Sequence, residues 1–388
     1  MHSISNRIKN IYFDLFQDDF VYVALGLSLL QEDLRRIKDK ETILSFDDWA
    51  QFSEIKTYDD EWIEEFQFDL TKRAFQFNLP KCAKVLFEIS TYKEQTSKLL
   101  SIIKAAVDNN SLDCIDVLVS FFPHPDSDLF VFGGPTLYSH VLYLGNKTIA
   151  EYLLKKHNVN PDGLKVVNSE GEYEDYSDVI STREHGSCLV WIMTSPYMTN
   201  LEKLDMLSFA ISKGASPLGH SQEADCFDSP IQVAASLNVV FLEFFLSLGI
   251  DPNQKRHEAI FSAVSSQASF DQKHKILQIL LNTCKVDINQ VSPKTGCSVI
   301  EWCIIQNGTD AMKTIKYLID RGADHNPDHL LSLAHDYEYY ELREEIYSQL
   351  HCSEKLYKDL VQQEKEKKQN KKNDDTTKIH LFFPQKEY

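Results

Sequence analysis

Four groups of residues in this chain have types and spacings that could do chemistry. His185 and Cys188 stand three apart at the end of an acidic stretch, and an imidazole beside a thiol is the pairing that generates a nucleophilic thiolate. Cys297 and Cys303 lie six apart on either side of Trp302, and GNKT at 145–148 sets Lys147 beside a turn of the kind that cradles phosphate. In the fourth group, Glu170, Glu172, Glu174, Asp175 and Asp178 alternate with Tyr173 and Tyr176. Carboxylates steer the approach of a basic surface, and tyrosines anchor it at low entropic cost.

The first three groups yield to plainer readings. Cys188 directly precedes Leu189 at the start of an apolar run, which reads as a packed thiol. In GNKT no glycine directly precedes the lysine, and position 140 is His where a phosphate loop has Gly. The eight cysteines include no CxxC pair and no His/Cys set at ligand spacing, so reduced, buried thiols of a cytoplasmic protein are expected, with no metal and no cofactor. HPD at 124–126 is similar to the tripeptide of chaperone-partner J-domains, but its flanks lack a basic face, and Pro123 and Pro125 read as the end of a helix.

Charge narrows the partner class. Against 40 Lys and Arg the chain has 58 Asp and Glu, a formal net charge of -18. Such a balance disfavours nucleic acid and anionic membrane and suits a protein with a basic surface. VYVALGLSLL at 21–30 is too short to span a bilayer, and Asp14, Asp18 and Asp19 interrupt any leader. A soluble monomer is expected.

The elements that would position these residues recur. An apolar helix closing in a small turn appears as YLLKKHNVNPD (152–162), FAISKGASPLG (209–219), FFLSLGIDPN (244–253), ILLNTCKVDIN (279–289) and YLIDRGADHN (317–326). The residues before the turn's Asn, Ser or Asp are Val159, Ala215, Ile250, Val286 and Ala323, at intervals of 56, 35, 36 and 37. Before each lies a shorter helical run, SPIQVAASLN (229–238) being the best formed and GCSVIEWCIIQNG (296–308) another. One helix pair cannot bury its own apolar stripe, so neighbouring pairs must stack.

Here the units resemble ankyrin repeats. The family's Thr-Pro-Leu-His-x-Ala-Ala start is matched best by Ser229, Pro230, Ile231, Gln232, Ala234 and Ala235, and its Leu-Leu-x-x-Gly-Ala-Asp-x-Asn close by Leu318, Ile319, Gly322, Ala323, Asp324 and Asn326. The match is uneven. His140, Ile192 and Cys303 take the Ala position in three units, and the His position is never His. CAKVLFEIS (82–90) and CIDVLVSFF (114–122), 32 apart, look like second helices of earlier units, preceded by DLTKRAFQFN (69–78) and KLLSIIKAAVDNN (98–110).

The resemblance implies an all-α, ankyrin-type helical repeat solenoid over 67–352, with an N-terminal helical cap at 1–66 and a charged, largely disordered C-terminal tail at 353–388. The segment 328–350 is expected to be the last, polar-faced cap. The acidic insert, 165–184, falls in the one long interval and is expected on a loop face. Near the end, TTKIHLFFP is similar to the short box by which replication proteins dock on the sliding clamp, with Thr376 in place of the usual Gln. Ile379, Phe382 and Phe383 are therefore expected to be an apolar anchor for a partner, or a strand folded back on the array.

The function this implies is a non-catalytic scaffold that holds a protein partner through the concave face and the insert residues Glu170, Glu172, Tyr173, Glu174, Asp175, Tyr176 and Asp178. The alternative is an enzyme with its site in the N-terminal region and the repeats recruiting substrate. Degenerate arrays of this composition with a polar tail are also similar to effectors that intracellular bacteria deliver into host cells, which implies a host cytoplasm as the second possible location.

Overall fold

The computed structural model describes residues 68–69, 71–80, 83–84, 87, 95–122, 135–163, 187–219, 229–254, 258–293 and 295–369, with 370–382 as helical backbone. The expected N-terminal cap and the acidic insert lie outside the described residues. Within them the chain is all-α, and an isolated antiparallel bridge pairs Val291 with Ser298. No helix of the described residues is long and apolar enough to cross a membrane. The chain divides into two compact units, Met1–Phe227 and Asp228–Tyr388.

In the first unit, residues 71–76 are helical, followed by α1 (Thr96–Asp108), α2 (Leu112–Ser120), α3 (Leu137–Tyr143), α4 (Lys147–His157), α5 (Cys188–Thr194) and α6 (Asn200–Ser212). Each odd-numbered helix packs on the even-numbered helix after it, and α3 also packs on α5. The helix starts are capped as their sequences allow. Thr136 accepts from Ser139 N, Asn146 accepts from Ile149 N, and Thr199 and Glu202 form a capping box. Each such cap contributes about 1 kcal/mol.

The second unit has α7 (Pro230–Leu237), α8 (Val239–Ser247), α9 (Ala259–Ser265), α10 (Phe270–Gln278, continued by a π turn at Ile279–Thr283), α11 (Val299–Asn307), α12 (Met312–Asp320), α13 (Pro327–Asp336), α14 (Tyr340–Gln349) and α15 (Glu354–Phe382). Helices α7, α9, α11 and α13 pack successively on one another, as do α8, α10, α12 and α14. Ala234 and Ala235 are fully buried, and α9 packs closely on the helix that carries them. Ser229 and Gln232 form a capping box, Ser229 N donating to Gln232 Oε1 at 3.3 Å, with Pro230 in the first turn. Gln232 thus closes the helix start.

The five small or β-branched residues before the turns, Val159, Ala215, Ile250, Val286 and Ala323, are all buried. Gly249 and Gly322 precede two of them with φ of +80° and +92°, so that Ile250 N donates to Phe245 O and Ala323 N to Leu318 O, satisfying carbonyls at the helix ends. After three of these turns Asn160, Asp251 or Asp287 folds the chain. Asp251 accepts from Asn253 N and Asp287 from Asn289 N, both at 2.9 Å. The second polar residue then reaches the next turn, Asn253 Nδ2 donating to Cys284 O at 2.9 Å and Asn289 Oδ1 accepting from Asp324 N at 2.8 Å.

A second ladder runs along the other ends of the short helices. Asn146 Nδ2 donates to Val107 O at 2.7 Å and Ser195 Oγ to Tyr143 O at 2.5 Å in the first unit. In the second, Asn307 Nδ2 donates to Val264 O at 2.7 Å, Tyr339 OH to Ile305 O at 3.2 Å, and Ser266 Oγ to Ser236 O. These side chains reach carbonyls near helix C-termini, where the intrahelical ladder runs out, and Val107 O also accepts from Asn110 N at 3.2 Å.

Residues 354–382, in the segment read from sequence as a charged helix fading into disorder, form the helix α15, which packs on α13. The reason is a sparse stripe that composition hides. Tyr357, Leu360, Glu364 and Lys368 recur every three or four residues on one face, Leu360 is buried, and Glu364 pairs with the buried Arg343.

Candidate functional site

The most distinctive surface lies on α3 and α5 in the first unit. At the C-terminal end of α3 the Tyr143 ring is flanked edge-on by Trp191 (centroids 6.1 Å apart, 84°) and Tyr197 (5.6 Å, 83°). His140, one helical turn back, stacks on Tyr143 at 5.5 Å. Lys104 of α1 sets its Nζ 5.1 Å from the centre of the Tyr197 ring while pairing with Asp108 at 2.6 Å. Tyr197 is 54% exposed and Tyr143 and Trp191 are half-buried, so three aromatic rings and a cation meet solvent together.

Local sequence builds this cluster. Ser195 ends α5, and its hydroxyl donates to Tyr143 O and accepts from Tyr197 N at 3.1 Å, tying the Tyr197 loop to the end of α3. Gly145 makes the turn after α3 with φ of +84°; a Cβ there would stand 3.1 Å from Met198 Sδ, which closes the loop from the other side. Burial and the neighbouring Tyr197 raise the Tyr143 hydroxyl's pKa, so it remains a neutral donor. Burial, with Lys104 nearby, lowers the His140 pKa to about 4, so that imidazole is neutral at pH 7.

The opposite ends of α3 and α5 hold the point where the insert joins the fold. Cys188 N donates to Asp162 O at 2.8 Å, and Gly163 O accepts from Ser139 Oγ at 2.8 Å and Thr136 Oγ1 at 3.2 Å. The described chain therefore leaves at Gly163 and resumes at Ser187 within one hydrogen-bonded cluster. The residues expected to dock a partner, Glu170, Glu172, Tyr173, Glu174, Asp175, Tyr176 and Asp178, lie outside the described residues. So does Phe383, whereas Ile379 and Phe382 are positions on α15, helical rather than extended.

The pairs considered for catalysis resolve differently. His185 lies outside the described residues. Cys188 is fully buried with Sγ 3.3 Å from Pro161 O, and burial pushes its pKa well above the ordinary thiol range. Cys303 is also buried and its pKa is pushed up to about 12, while Cys297 is partly exposed; both are free thiols. Asn146 of GNKT caps α4 and joins the ladder to Val107, so this loop serves the framework. Pro123, Pro125 and HPD lie outside the described residues. Among the described residues no cluster of three or more His, Cys, Asp or Glu side chains could hold a metal ion.

One polar cluster was not foreseen. Asp116 on α2 accepts from Tyr152 OH at 2.9 Å, lies 2.7 Å from His157 Nε2 and pairs with Lys156, all three from α4. Burial would raise the Asp116 pKa, but the hydrogen bonds from Lys156, His157 and Tyr152 outweigh it and hold the pKa below the usual value. A carboxylate saturated by three donors is a cross-link between α2 and α4. No protein-family model matches the chain, and no curated protein matches it.

Proposed function

We infer that this chain is an ankyrin-type helical repeat protein that holds a protein partner without catalysis. The observation that carries the reading is the exposed Tyr143–Trp191–Tyr197 cluster. Tyrosine and tryptophan are the residues that dominate binding energy at protein interfaces, because they bury much area while losing few rotamers. The successive packing of the first helix of each pair on the first of the next, and of second on second, at the spacing read from the sequence, supports the repeat assignment.

The partner has a basic surface. A net charge of -18 and the carboxylates of the insert favour its approach, and α3 and α5 carry both the attachment point of the insert and the aromatic cluster. The cluster supplies affinity and the insert supplies rate and selectivity.

The test compares partner capture by the full chain, by Trp191→Ala/Tyr197→Ala and by the chain lacking 165–184, at low and high salt. Loss of the same partner with the aromatic variant, and weaker capture with stronger salt sensitivity in the intact chain than in the deletion, are expected. Undiminished capture by the aromatic variant refutes the assignment of the cluster.

A further inference from the structure

Arg343 of α14 is a buried guanidinium, 3% exposed, in the second unit. Its Cζ lies 5.2 Å from the ring centre of Tyr340 and 5.9 Å from that of Tyr357. Nη1 lies 3.1 Å from His335 Nδ1 of α13 and 3.0 Å from Glu364 Oε2 of α15, and Nη2 lies 2.6 Å from Glu344 Oε1. Arg343 Nε and His335 Nε2 are buried with no hydrogen-bond partner. Such groups cost about 1–3 kcal/mol each when left unsatisfied.

The helix that covers it is weakly self-sufficient. α15 carries mostly Lys, Glu, Gln and Asn after Leu360, and a polar helix without a wide apolar stripe gains little from packing. Its hold on the fold runs through a few side chains. Tyr357 stacks on Tyr347 with centroids 3.9 Å apart and bonds Glu344 through its hydroxyl, Leu360 is buried, and Glu364 meets Arg343. Lys368 pairs with Glu364 and sets its Nζ 5.2 Å from the Tyr340 ring. At the start of the helix Ser353 N donates to Asp328 Oδ1 at 2.6 Å.

We propose that Arg343, His335, Tyr340 and Tyr347 form a recognition site for a helix that presents Tyr, Leu and Glu at successive turns of one face, and that α15 occupies this site in cis. The guanidinium reads the carboxylate through a charge-assisted bond, the Tyr347 ring reads the aromatic residue seven positions earlier, and the leucine between them fills the apolar floor. In the resting chain α15 shields the site at the high effective concentration of a tethered ligand. A helix of the same pattern, supplied in trans, gains access when α15 lifts.

The experiment uses the full-length chain. A fluorescein-labelled peptide of residues 353–382 is titrated, with anisotropy as the readout, against the wild-type chain and Leu360→Ala/Glu364→Gln. The peptide is expected to bind the variant at least tenfold more tightly than the wild type, and a peptide carrying Glu364→Gln is expected to lose that gain. Hydrogen exchange of amides 356–364 is expected to quicken in the variant, while amides of α13 and α14 stay protected, which shows that the site survives. Equal peptide affinity for the two chains, no binding to either, indifference to the Glu364→Gln peptide, or unchanged exchange at 356–364 would each overturn the proposal.

Discussion

A Cβ placed on Gly163 would stand 2.0 Å from Ser139 Oγ, the hydroxyl that donates to the Gly163 carbonyl across the joint where the insert meets the fold. The same Cβ would lie 2.9 Å from Cys188 Cβ, and φ at Gly163 is +66°. Neither neighbour can withdraw, since Ser139 and Cys188 are both fully buried. Gly163→Ala is therefore expected to destabilise the chain by about 2–4 kcal/mol, combining left-handed strain with overpacking. Urea unfolding of the two chains measures it, and a change under about 1 kcal/mol would contradict this packing.

Asn307 joins α11 to the end of α9 and fixes a buried lysine. Its Nδ2 donates to Val264 O and Cys303 O, and its Oδ1 accepts from Lys273 Nζ at 2.6 Å. Burial lowers the Lys273 pKa, so its ammonium depends on this acceptor. Asn307→Ala is expected to cost about 2–3 kcal/mol, because it strands a carbonyl and an amine together. A thermal scan that finds the variant unchanged would show that the ladder carries no stability.

Lys285 occupies, after its own helix end, the turn position that Gly249 and Gly322 hold after theirs, with φ of +56°. A non-glycine residue there bears left-handed strain that glycine avoids. Lys285→Gly is expected to raise stability by about 0.5–1 kcal/mol, the relief of strain exceeding the added backbone entropy of the unfolded chain. A fall in the denaturation midpoint would refute it.

His140 makes stability depend on pH. Its folded pKa is lowered from 6.5 to about 4 by burial and by Lys104. Between these two values the unfolded chain binds the proton and the folded chain does not, so stability falls as pH falls below about 6.5. From pH 7 to pH 5 this one group is expected to remove about 2 kcal/mol. His140→Ala is expected to flatten the pH slope by that amount. Identical slopes in parallel urea titrations would count against the burial of a neutral imidazole.

The thiols are expected to separate by reactivity. Cys188 and Cys303 are fully buried with raised pKa values, whereas Cys297 is partly exposed. At pH 7.5 in the native chain, iodoacetamide followed by peptide mass analysis should label Cys297 at least tenfold faster than Cys188 or Cys303. Rapid labelling of Cys188 would revive it as a nucleophile.

The sequence alone determined the helix pairs and their turns. A helix end, a small residue and an Asp or Asn are local signals, written within ten residues, and Gly249, Asp251, Asn253, Gly322 and Asn326 act where their types allow. Only the tertiary structure decided which exposed residues meet. Tyr143 and Tyr197 are far apart in sequence, and their contact depends on how α3 packs against α5 and on the Ser195 bond that folds the loop back. Arg343 and Glu364 show the same limit more sharply. In sequence both read as solvated charges on polar helices, and a composition rich in Lys and Glu reads as a tail. Burial is a property of what packs against a residue, and Arg343 is buried because Tyr357 and Glu364 of α15 lie against it.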